Sequence, residues 1–237
     1  MSASSYHFCT YFDRAYLTRG LALYESLIRH CRRPFVLWIL CFDEETHAVL
    51  SRMQLPNVQL VTAEKFESDN PDLLAVKGNR SLVEYYWTST PLWLLYVLRQ
   101  NPDIEVVTYL DADLLFFADP QPMYEEMADQ SVLIIEHRYS FEHSHFADQS
   151  GIYNVGAMSF RRDEAGGECL NWWRDRCLEW CFARHDDGKF GDQKYLDDWP
   201  ARFQRVVVLR HKGVGLAPWN ASRYRVTRTR QRFTVDG

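Results

Sequence analysis

The amino-terminal part of the chain alternates between apolar runs of strand length and segments with helical spacing, and this alternation constrains the fold most. The segments YHFCTYF (6–12) and FVLWILCF (35–42) are continuous apolar runs, typical of strands buried on both faces. Between them, residues 16–31 repeat apolar side chains three and four positions apart, as on one face of a helix. A helix over EETHAVLSRM and a strand over VQLVTA follow. This β-α-β-α-β order predicts an α/β fold with a parallel sheet and helices on both faces.

Length and composition narrow the class of protein. The chain has 237 residues without a repeat or linker, and 46% of them are hydrophobic, so we expect a single folded domain. The net charge of -5 disfavours a nucleic-acid binder. No apolar run approaches the roughly 20 residues of a membrane span, and no signal peptide is visible. The six cysteines form no CxxC pair, which favours reduced, mostly buried thiols and a cytoplasmic protein without a transmembrane segment.

Two aspartates interrupt the apolar stretch VVTYLDADLLFF (106–117). An unpaired buried carboxylate is costly, so Asp111 and Asp113 need a reason to be there. We expect them at the carboxyl end of a strand, where open α/β sheets bind ligands. A pair of carboxylates at one point suits a hard divalent cation. Two solvated acids at the start of a loop are the simpler alternative, but Leu114–Phe117 are expected to continue the buried core.

Later segments are less regular. Pro91 is expected to divide the helical region 82–102 or to begin a new helix. A strand is predicted over IYNVGAMSFRR (152–162), with Gly156 inside it marking a bulge or a close backbone approach. The long loop 138–151 contains His143, His145 and Asp148, and we interpret it as a mobile or acceptor-binding loop rather than as a second metal site.

Five short segments carry a resemblance to a known enzyme family. YLDADLLFF (109–117) holds the Asp-x-Asp pair, and IYNVGAMSFRR holds an Asn-x-Gly strand. The others are CTYFDRAYLTRGLALYESL (9–27), GDQKYLDDW (191–199) with its Asp-Gln pair, and RHKGVGLAPWN (210–220) with a histidine, two glycines and Pro-Trp. In order and spacing they resemble a GT-A glycosyltransferase, most of all the glycosyltransferase family 8 type.

The resemblance implies one α/β domain of the GT-A (Rossmann-like) fold over residues 1–237, with a mixed, mostly parallel central sheet flanked by helices. A nucleotide-binding half is implied at about 1–118 and a sugar and acceptor half at about 119–237. The implied reaction transfers a hexosyl-type sugar from a nucleotide-diphosphate sugar, first of all a UDP-sugar, to a glycan, lipid-linked or other hydroxyl acceptor, as in polysaccharide biosynthesis. It implies Mn²⁺ or Mg²⁺ held by Asp111, Asp113 and His211. Transfer in that family retains the anomeric configuration; inversion would need a carboxylate base, for which Asp192 is the candidate.

Further residue roles follow from the same resemblance. Asp192 and Gln193 are implied at the reacting carbon, and Asn154 and Asp192 at the donor sugar. The other implied donor-binding residues are Thr10, Tyr11, Phe12, Asp13, Tyr16, Arg80, Asp111, Ala112, Gly156, Lys212, Gly213, Gly215 and Trp219. Tyr11 fits core packing equally well, and Asp13 could instead cap the next helix. Where the family has a lysine before Pro-Trp this chain has Ala217, so Lys212 becomes the candidate phosphate-binding cation.

The carboxyl-terminal stretch RYRVTRTRQRFTVDG predicts a strand, a turn and a second strand, and the turn signal at Asp236-Gly237 suggests that the chain is truncated and that part of the site lies beyond it. The strip Arg223, Arg225, Arg228, Arg230 and Arg232 has two interpretations. It is either a charged edge strand that resists aggregation or a peripheral contact with an anionic membrane or lipid-linked acceptor.

Two other functions remain open. A nucleotidyltransferase would share the metal and the α/β fold but would show a glycine-rich phosphate loop after the first strand, where this chain has only Gly20. A catalytically inactive nucleotide- or carbohydrate-binding protein of the same fold would keep the aromatic surface without needing the two aspartates.

Overall fold

A central sheet of seven strands organises the computed structural model, which describes residues 5–229 and 233–236. The strands are β1 (Tyr6–Phe12), β2 (Phe35–Cys41), β3 (Val58–Thr62), β4 (Val106–Leu110), β5 (Val132–Glu136), β6 (Tyr153–Arg161) and β7 (Val206–Val208). Their order across the sheet is β3-β2-β1-β4-β6-β5-β7, and β6 alone among them runs antiparallel to its neighbours. The predicted mixed, mostly parallel α/β sheet is confirmed.

Helices cover both faces of the sheet. They are α1 (Leu17–His30), α2 (Glu44–Met53), α3 (Ala63–Ser68), α4 (Pro71–Val76), α5 (Leu82–Gln100), α6 (Gln121–Met127), α7 (Phe146–Ser150), α8 (Glu164–Glu179) and α9 (Trp199–Arg202). Side chains of β1 alternate between the two cores. Phe8 and Phe12 pack with α1, whereas Cys9 and Tyr11 pack with the α5 and α8 side. The sheet therefore separates two apolar layers, and its carboxyl edge is left for the polar residues.

Pro91 does not divide the helical region, so that expectation is wrong. Helix α5 runs without interruption through Pro91, starting from a capping box in which Ser81 and Glu84 bond each other's backbone N–H. Two hydroxyls just before the proline bond carbonyls one turn back, Thr88 to Glu84 and Ser89 to Tyr85. The residues around Pro91 are buried against the sheet, and this packing offsets the loss of one helical hydrogen bond.

Strand β4 has the two aspartates at its carboxyl end, as predicted. It ends at Leu110, so both aspartates follow the strand. Leu114 and Phe116 pack in the core, but Leu115 is 51% exposed and Phe117 is 54% exposed. The expectation that Leu114–Phe117 stay away from solvent is therefore wrong for alternate residues. The segment lies over α1, where the Phe116 N–H donates to Ser26 Oγ at 3.0 Å, and only one side of it can be covered.

The predicted terminal hairpin is present as β8 (Arg225–Arg228) and β9 (Phe233–Asp236). It touches the segment after β4 through the rings of Phe117 and Phe233, whose centroids are 4.8 Å apart. Arg225 and Arg228 are exposed on β8, three positions apart, so they point to opposite faces of the hairpin. Arg230, Arg232 and Gly237, which belong to the predicted strip and turn, lie outside the described residues.

Candidate active site

The carboxyl edge of the sheet brings together motifs that are far apart in sequence. Asp111 follows the end of β4, and Asn154 and Gly156 stand near the beginning of β6. Because β6 is antiparallel to β4, its beginning lies beside the end of β4, with Leu110 opposite Ala157. The Asp111 N–H donates to the Gly156 carbonyl oxygen at 2.8 Å. The Asp-x-Asp and Asn-x-Gly motifs therefore meet at one point of the edge.

Gly156 leaves room for two polar side chains. A Cβ added there would lie 2.5 Å from Asn154 Oδ1 and 3.3 Å from Asp111 Oδ2. Asn154 Oδ1 also accepts a hydrogen bond from the Gly156 N–H. The backbone of this position is not in the left-handed region, so the glycine is required by space and not by its dihedral angles.

A cleft of about 1370 Å³ opens at this edge. Its walls are the segment after β4, the beginning of β6, the segment after β7 and the hairpin. Several of the predicted site residues line it: Asp111, Asp113, Asn154, Gly156, His211, Lys212, Gly213, Gly215 and Trp219. Three of these elements contribute through their ends at the same edge, which is why one cleft collects residues from across the chain.

The wall formed by residues 211–219 is fastened to the end of β5 by Asn220, which is fully buried. Asn220 Nδ2 donates to the carbonyl oxygens of His137 at 2.7 Å and of Gly215 at 2.9 Å. Trp219 Nε1 donates to the same His137 carbonyl at 3.1 Å. Burial lowers the pKa of His137 to about 4, so this imidazole is neutral near pH 7. Sequence reasoning missed His137 and Asn220, because nothing local marks their burial.

Asp111 lines the cleft and is half-buried, whereas Asp192 is buried and does not line it. The Tyr109 hydroxyl donates to Asp111 Oδ1 at 2.8 Å, and the Thr90 hydroxyl donates to Asp192 Oδ2 at 3.2 Å. Burial raises the pKa of Asp111 to about 6, opposed by the Tyr109 hydrogen bond and reinforced by the charge of Asp113. Burial and the charge of Asp111 raise the pKa of Asp192 to about 7. The site is therefore acidic. No positive charge is among the causes that shift the pKa of Asp111.

Hydroxyl groups of the core lie between Asp111 and Asp192. The Tyr11 hydroxyl and the Thr90 hydroxyl are 3.0 Å apart, and the Tyr11 and Tyr109 ring centroids are 5.5 Å apart. Burial, with the charges of Asp192 and Asp111, raises the pKa of Tyr11. The Tyr11 ring therefore packs in the core, which was one of the two roles predicted for it. Its hydroxyl bonds Thr90 and is affected by the charges of both acids. Sequence reasoning missed Thr90 and Tyr109.

Other predicted site residues do not line the cleft. The Thr10 and Phe12 side chains and the Ala112 methyl group are buried in the core. Gly20 lies directly against the Phe12 ring. Arg80 Nη2 donates to the Leu178 carbonyl oxygen at 3.1 Å, and this places it at the end of α8.

Polar residues near the ends of β1 and α8 take local roles. Asp13 accepts from the Ala15 N–H at 2.9 Å and from the Tyr86 hydroxyl at 3.0 Å. It does not cap α1, whose N-cap is Tyr16, and Tyr16 is itself 41% exposed beneath the guanidinium of Arg19. Asp192 does not line the cleft either, and Gln193 Nε2 donates to the Ser150 carbonyl oxygen at 2.6 Å.

The donor set of the predicted metal site is chemically suitable but is not assembled. Asp111, Asp113 and His211 line the same cleft, and oxygen ligands with one imidazole suit Mn²⁺. Within residues 5–229 and 233–236, no three His, Cys, Asp or Glu side chains form a group placed to hold a metal ion. His211 Nδ1 instead accepts from the Gly213 N–H at 3.2 Å. The carboxylates fit a cation, whereas His211 would have to turn away from its own loop.

Two features outside the cleft are the burial of the cysteines and the apolar character of the helices. Cys31 is partly exposed and the other five cysteines are buried. Across the part of the chain that the structure describes, no helix combines the length and the apolar character needed to cross a membrane.

Comparison with known proteins places the chain in a family. YfnF of Bacillus subtilis strain 168, described as uncharacterized, is 40% identical over 219 residues, which cover 90% of this chain and 71% of that protein. The chain belongs to the YfnF family. YfnD of the same organism, also described as uncharacterized, is a further member at 31% identity over 235 residues, covering 98% of this chain and 75% of YfnD. No family model matches the chain.

Solved structures show which fold this family has. Mouse xyloside xylosyltransferase 1 in its apo form is similar with a TM-score of 0.53 and 16% identity, covering 87% of this chain and 85% of that one. The galactosyltransferase LgtC, solved with donor and acceptor sugar analogues, has a TM-score of 0.52 and 15% identity, covering 86% of this chain and 73% of LgtC. The bifunctional WbbM has a TM-score of 0.58 and 14% identity, covering 87% of this chain and 39% of WbbM. The YfnF-family chain therefore has the GT-A glycosyltransferase fold.

Proposed function

We propose that this protein is a metal-dependent glycosyltransferase of the family 8 type, which transfers a hexosyl group from a nucleotide-diphosphate sugar to a hydroxyl acceptor. Uridine diphosphate is the proposed carrier, and the acceptor is a glycan or a lipid-linked sugar of polysaccharide biosynthesis. Two facts support this. The fold is that of GT-A glycosyltransferases, among them LgtC, whose structure holds donor and acceptor sugar analogues. The cleft at the carboxyl edge also combines two carboxylates, an Asn-x-Gly strand and a glycine-rich wall.

In this proposal the acidic point of the cleft holds the cation. Asp111 and Asp113 supply carboxylate oxygens, with His211 as a third ligand, and the bound Mn²⁺ or Mg²⁺ would offset the negative charge that develops on the leaving diphosphate. Lys212 and the backbone N–H groups of residues 213–215 bind phosphate oxygens. Asn154, held against Gly156, orients the donor sugar.

We propose transfer with retention of the anomeric configuration. A general base for inversion must reach the acceptor hydroxyl, directly or through one water. Asp192 has a suitable pKa of about 7, but it is 5% exposed, bonded to Thr90, and does not line the cleft. Asp192 and Gln193 do not line the cleft, and they are proposed to act on the donor sugar from the core side of its subsite. The proton NMR coupling of the anomeric hydrogen in the first-formed product distinguishes retention from inversion.

The acceptor is proposed to approach beside the loop after β5. A peripheral contact with an anionic lipid surface through Arg223, Arg225 and Arg228 belongs to the same proposal, and we place the protein at the cytoplasmic side of such a surface.

The observation that carries the proposal is the meeting of Asp111 with Gly156 and Asn154 at the edge of the sheet. Calorimetric titration with uridine diphosphate, with and without Mn²⁺, tests it in the wild type and in Asp113→Asn. We expect binding that requires Mn²⁺ and is lost in the variant. Asp119→Asn is the matched control, because Asp119 lines the same cleft but lies beside Arg32.

Equal binding by the wild type and Asp113→Asn would contradict the proposed role of the two aspartates. An absence of binding with uridine diphosphate and Mn²⁺, followed by binding of guanosine diphosphate, would change the proposed carrier. No binding of either nucleotide would contradict the nucleotide-sugar proposal itself.

A further inference from the structure

Arg138 lies directly behind the glycine-rich wall of the cleft. It follows β5 and donates from Nη1 to the His211 carbonyl oxygen at 3.4 Å. A Cβ added at Gly215 would lie 3.1 Å from Arg138 Nη2, so the guanidinium sits against the back of residues 211–215. Those residues line the cleft, whereas Arg138 does not. A positive charge therefore stands one layer of backbone away from the proposed phosphate position.

The hydrogen-bonding capacity of this guanidinium is largely unused. Arg138 Nε and Nη2 are buried and have no hydrogen-bond partner among the residues that the structure describes. The guanidinium also lies over the ring of Tyr224, whose centroid is 5.6 Å from Cζ. None of these contacts is with a carboxylate. A half-buried guanidinium with unpaired N–H groups is unfavourable unless water or a ligand completes its hydrogen bonds.

The backbone of Arg138 is strained in a way that aims the side chain. Its φ is 51°, in the left-handed region that a non-glycine residue rarely adopts. Gly215 has φ of 75° and no side chain to displace the guanidinium. Strain of this kind persists where the surroundings hold it, and it is concentrated at binding sites. An extended backbone at Arg138 would turn the guanidinium away from Gly215.

We propose that Arg138 is an anion-binding residue of the cleft, supplying the positive charge, and with a small shift of residues 211–215 the N–H donors, for the phosphate groups of the ligand. This rests on the proposed function, since it assigns a residue to the diphosphate of the donor. It also accounts for the substitution Ala217, which leaves the short stretch before Pro-Trp without a cation. Arginine suits the position because its planar fork binds two phosphate oxygens at once.

The test uses ligands with and without phosphate on the full chain in the presence of Mg²⁺. Uridine diphosphate, inorganic pyrophosphate and uridine are titrated by calorimetry into the wild type, Arg138→Gln and Arg138→Lys. We expect Arg138→Gln to weaken both phosphate-bearing ligands by roughly 10- to 100-fold and to leave uridine unchanged. Arg138→Lys should recover part of the affinity, because it keeps the charge and loses the fork. A purely structural role would weaken uridine as well.

Arg205→Gln is the matched control. Arg205 also has a left-handed φ, of 59°, and also donates to a backbone carbonyl, that of Asp129. It differs in having a carboxylate partner, Asp163, at 3.6 Å. Thermal unfolding of each variant separates loss of fold from loss of binding, and we expect Arg205→Gln to bind all three ligands as the wild type does.

The outcomes separate this inference from the proposed function. If the wild type binds uridine diphosphate and Arg138→Gln binds it equally, the inference is wrong and the glycosyltransferase proposal stands. If the wild type binds pyrophosphate through Arg138 but does not bind uridine diphosphate, the anion-binding role of Arg138 is supported and the proposed carrier is wrong. If the wild type binds neither phosphate-bearing ligand, the inference is wrong.

Discussion

Gly156 and Asp111 share one small volume: a Cβ at Gly156 would lie 3.3 Å from Asp111 Oδ2, and the Asp111 N–H bonds the Gly156 carbonyl oxygen. Gly156→Ala should therefore push the Asp111 and Asn154 side chains out of place. We expect a loss of stability of about 1–3 kcal/mol and a larger proportional loss of metal-dependent nucleotide binding. Thermal unfolding and calorimetry measure the two effects.

Gly167→Ala is the control for this change. A Cβ at Gly167 in α8 meets nothing within 4 Å, so the same substitution should stabilise the helix by about 0.5–1 kcal/mol and leave binding unchanged. Unchanged binding by Gly156→Ala would show that the close approach is not needed by the site.

The Tyr109 hydroxyl is expected to orient the Asp111 carboxylate. Tyr109→Phe removes the donor that bonds Asp111 Oδ1 at 2.8 Å and leaves the ring in the core. Because that hydrogen bond favours the charged carboxylate, its loss should raise the pKa of Asp111 further and weaken Mn²⁺-dependent nucleotide binding by roughly 10-fold at pH 6.5. The loss of binding should shrink as the pH is raised.

Tyr124→Phe provides the comparison. Its hydroxyl bonds Thr108 at 2.8 Å on the same sheet, and Thr108 keeps a second bond to Ser159. A weakening of binding as large in this variant as in Tyr109→Phe would mean that the effect comes from general loosening of the core.

Asp192 should lower the stability of the fold as the pH rises. Its folded pKa of about 7 lies above the ordinary aspartate value of 3.8, so the folded state binds the proton more tightly. The resulting stability is present at low pH and is lost as the pH rises to about 7. Asp192→Asn removes the charge, so its advantage over the wild type should be smallest near pH 4, grow up to about pH 7 and level off above it.

Thermal unfolding of the two proteins between pH 4 and 8.5, without divalent metal, measures this difference. The comparison cancels the titration of groups that Asp192 does not influence, such as His137. A difference that stays constant across the range would mean that Asp192 is charged in the folded state throughout. Donor transfer by Asp192→Asn is expected to fall even though the fold is more stable, which is common for polar groups placed for function.

Asn220 should hold the cleft wall. Asn220→Asp replaces the Nδ2 donor facing two carbonyl oxygens with an acceptor, and we expect a loss of about 1–3 kcal/mol. Hydrogen exchange of residues 211–219 should quicken in this variant. Asn171→Asp is the control, since Asn171 Nδ2 donates to one carbonyl, that of Gly167, on an exposed helix face. Unaltered exchange in the wall would show that other contacts are sufficient to hold it.

The strands of the sheet could be predicted because their local signal agrees with their tertiary environment. Continuous apolar runs such as β2 are buried on both faces, and the alternation with helices leaves one class of architecture. Pro91 and Leu114–Phe117 were misjudged because their outcome depends on partners elsewhere. Burial against the sheet keeps α5 continuous, and α1 covers only one side of Leu114–Phe117.

The site could be predicted to the level of an edge but not of individual contacts. Asp-x-Asp after an apolar run located the end of β4, and the antiparallel pairing with β6 was needed to bring Gly156 to it. The predicted donor-binding residues near β1 show the limit of prediction from the sequence. Two of them, Thr10 and Phe12, lie on the face of β1 that packs with α1, and both are buried there. Arg138 and Asn220 carry no motif, and their importance depends on burial that only the folded chain reveals.

The reversed direction of β6 also decides where the chain can change in length. Since β5 and β6 are antiparallel neighbours, the loop 137–152 leaves and re-enters the sheet at one edge, with Ile135 opposite Asn154. Residues can be inserted into the middle of that loop, away from His137 and Arg138, without shifting the register of either strand or moving Gly156. Under the proposed function, such insertions would change the acceptor side of the cleft and leave the residues of the proposed donor side in place.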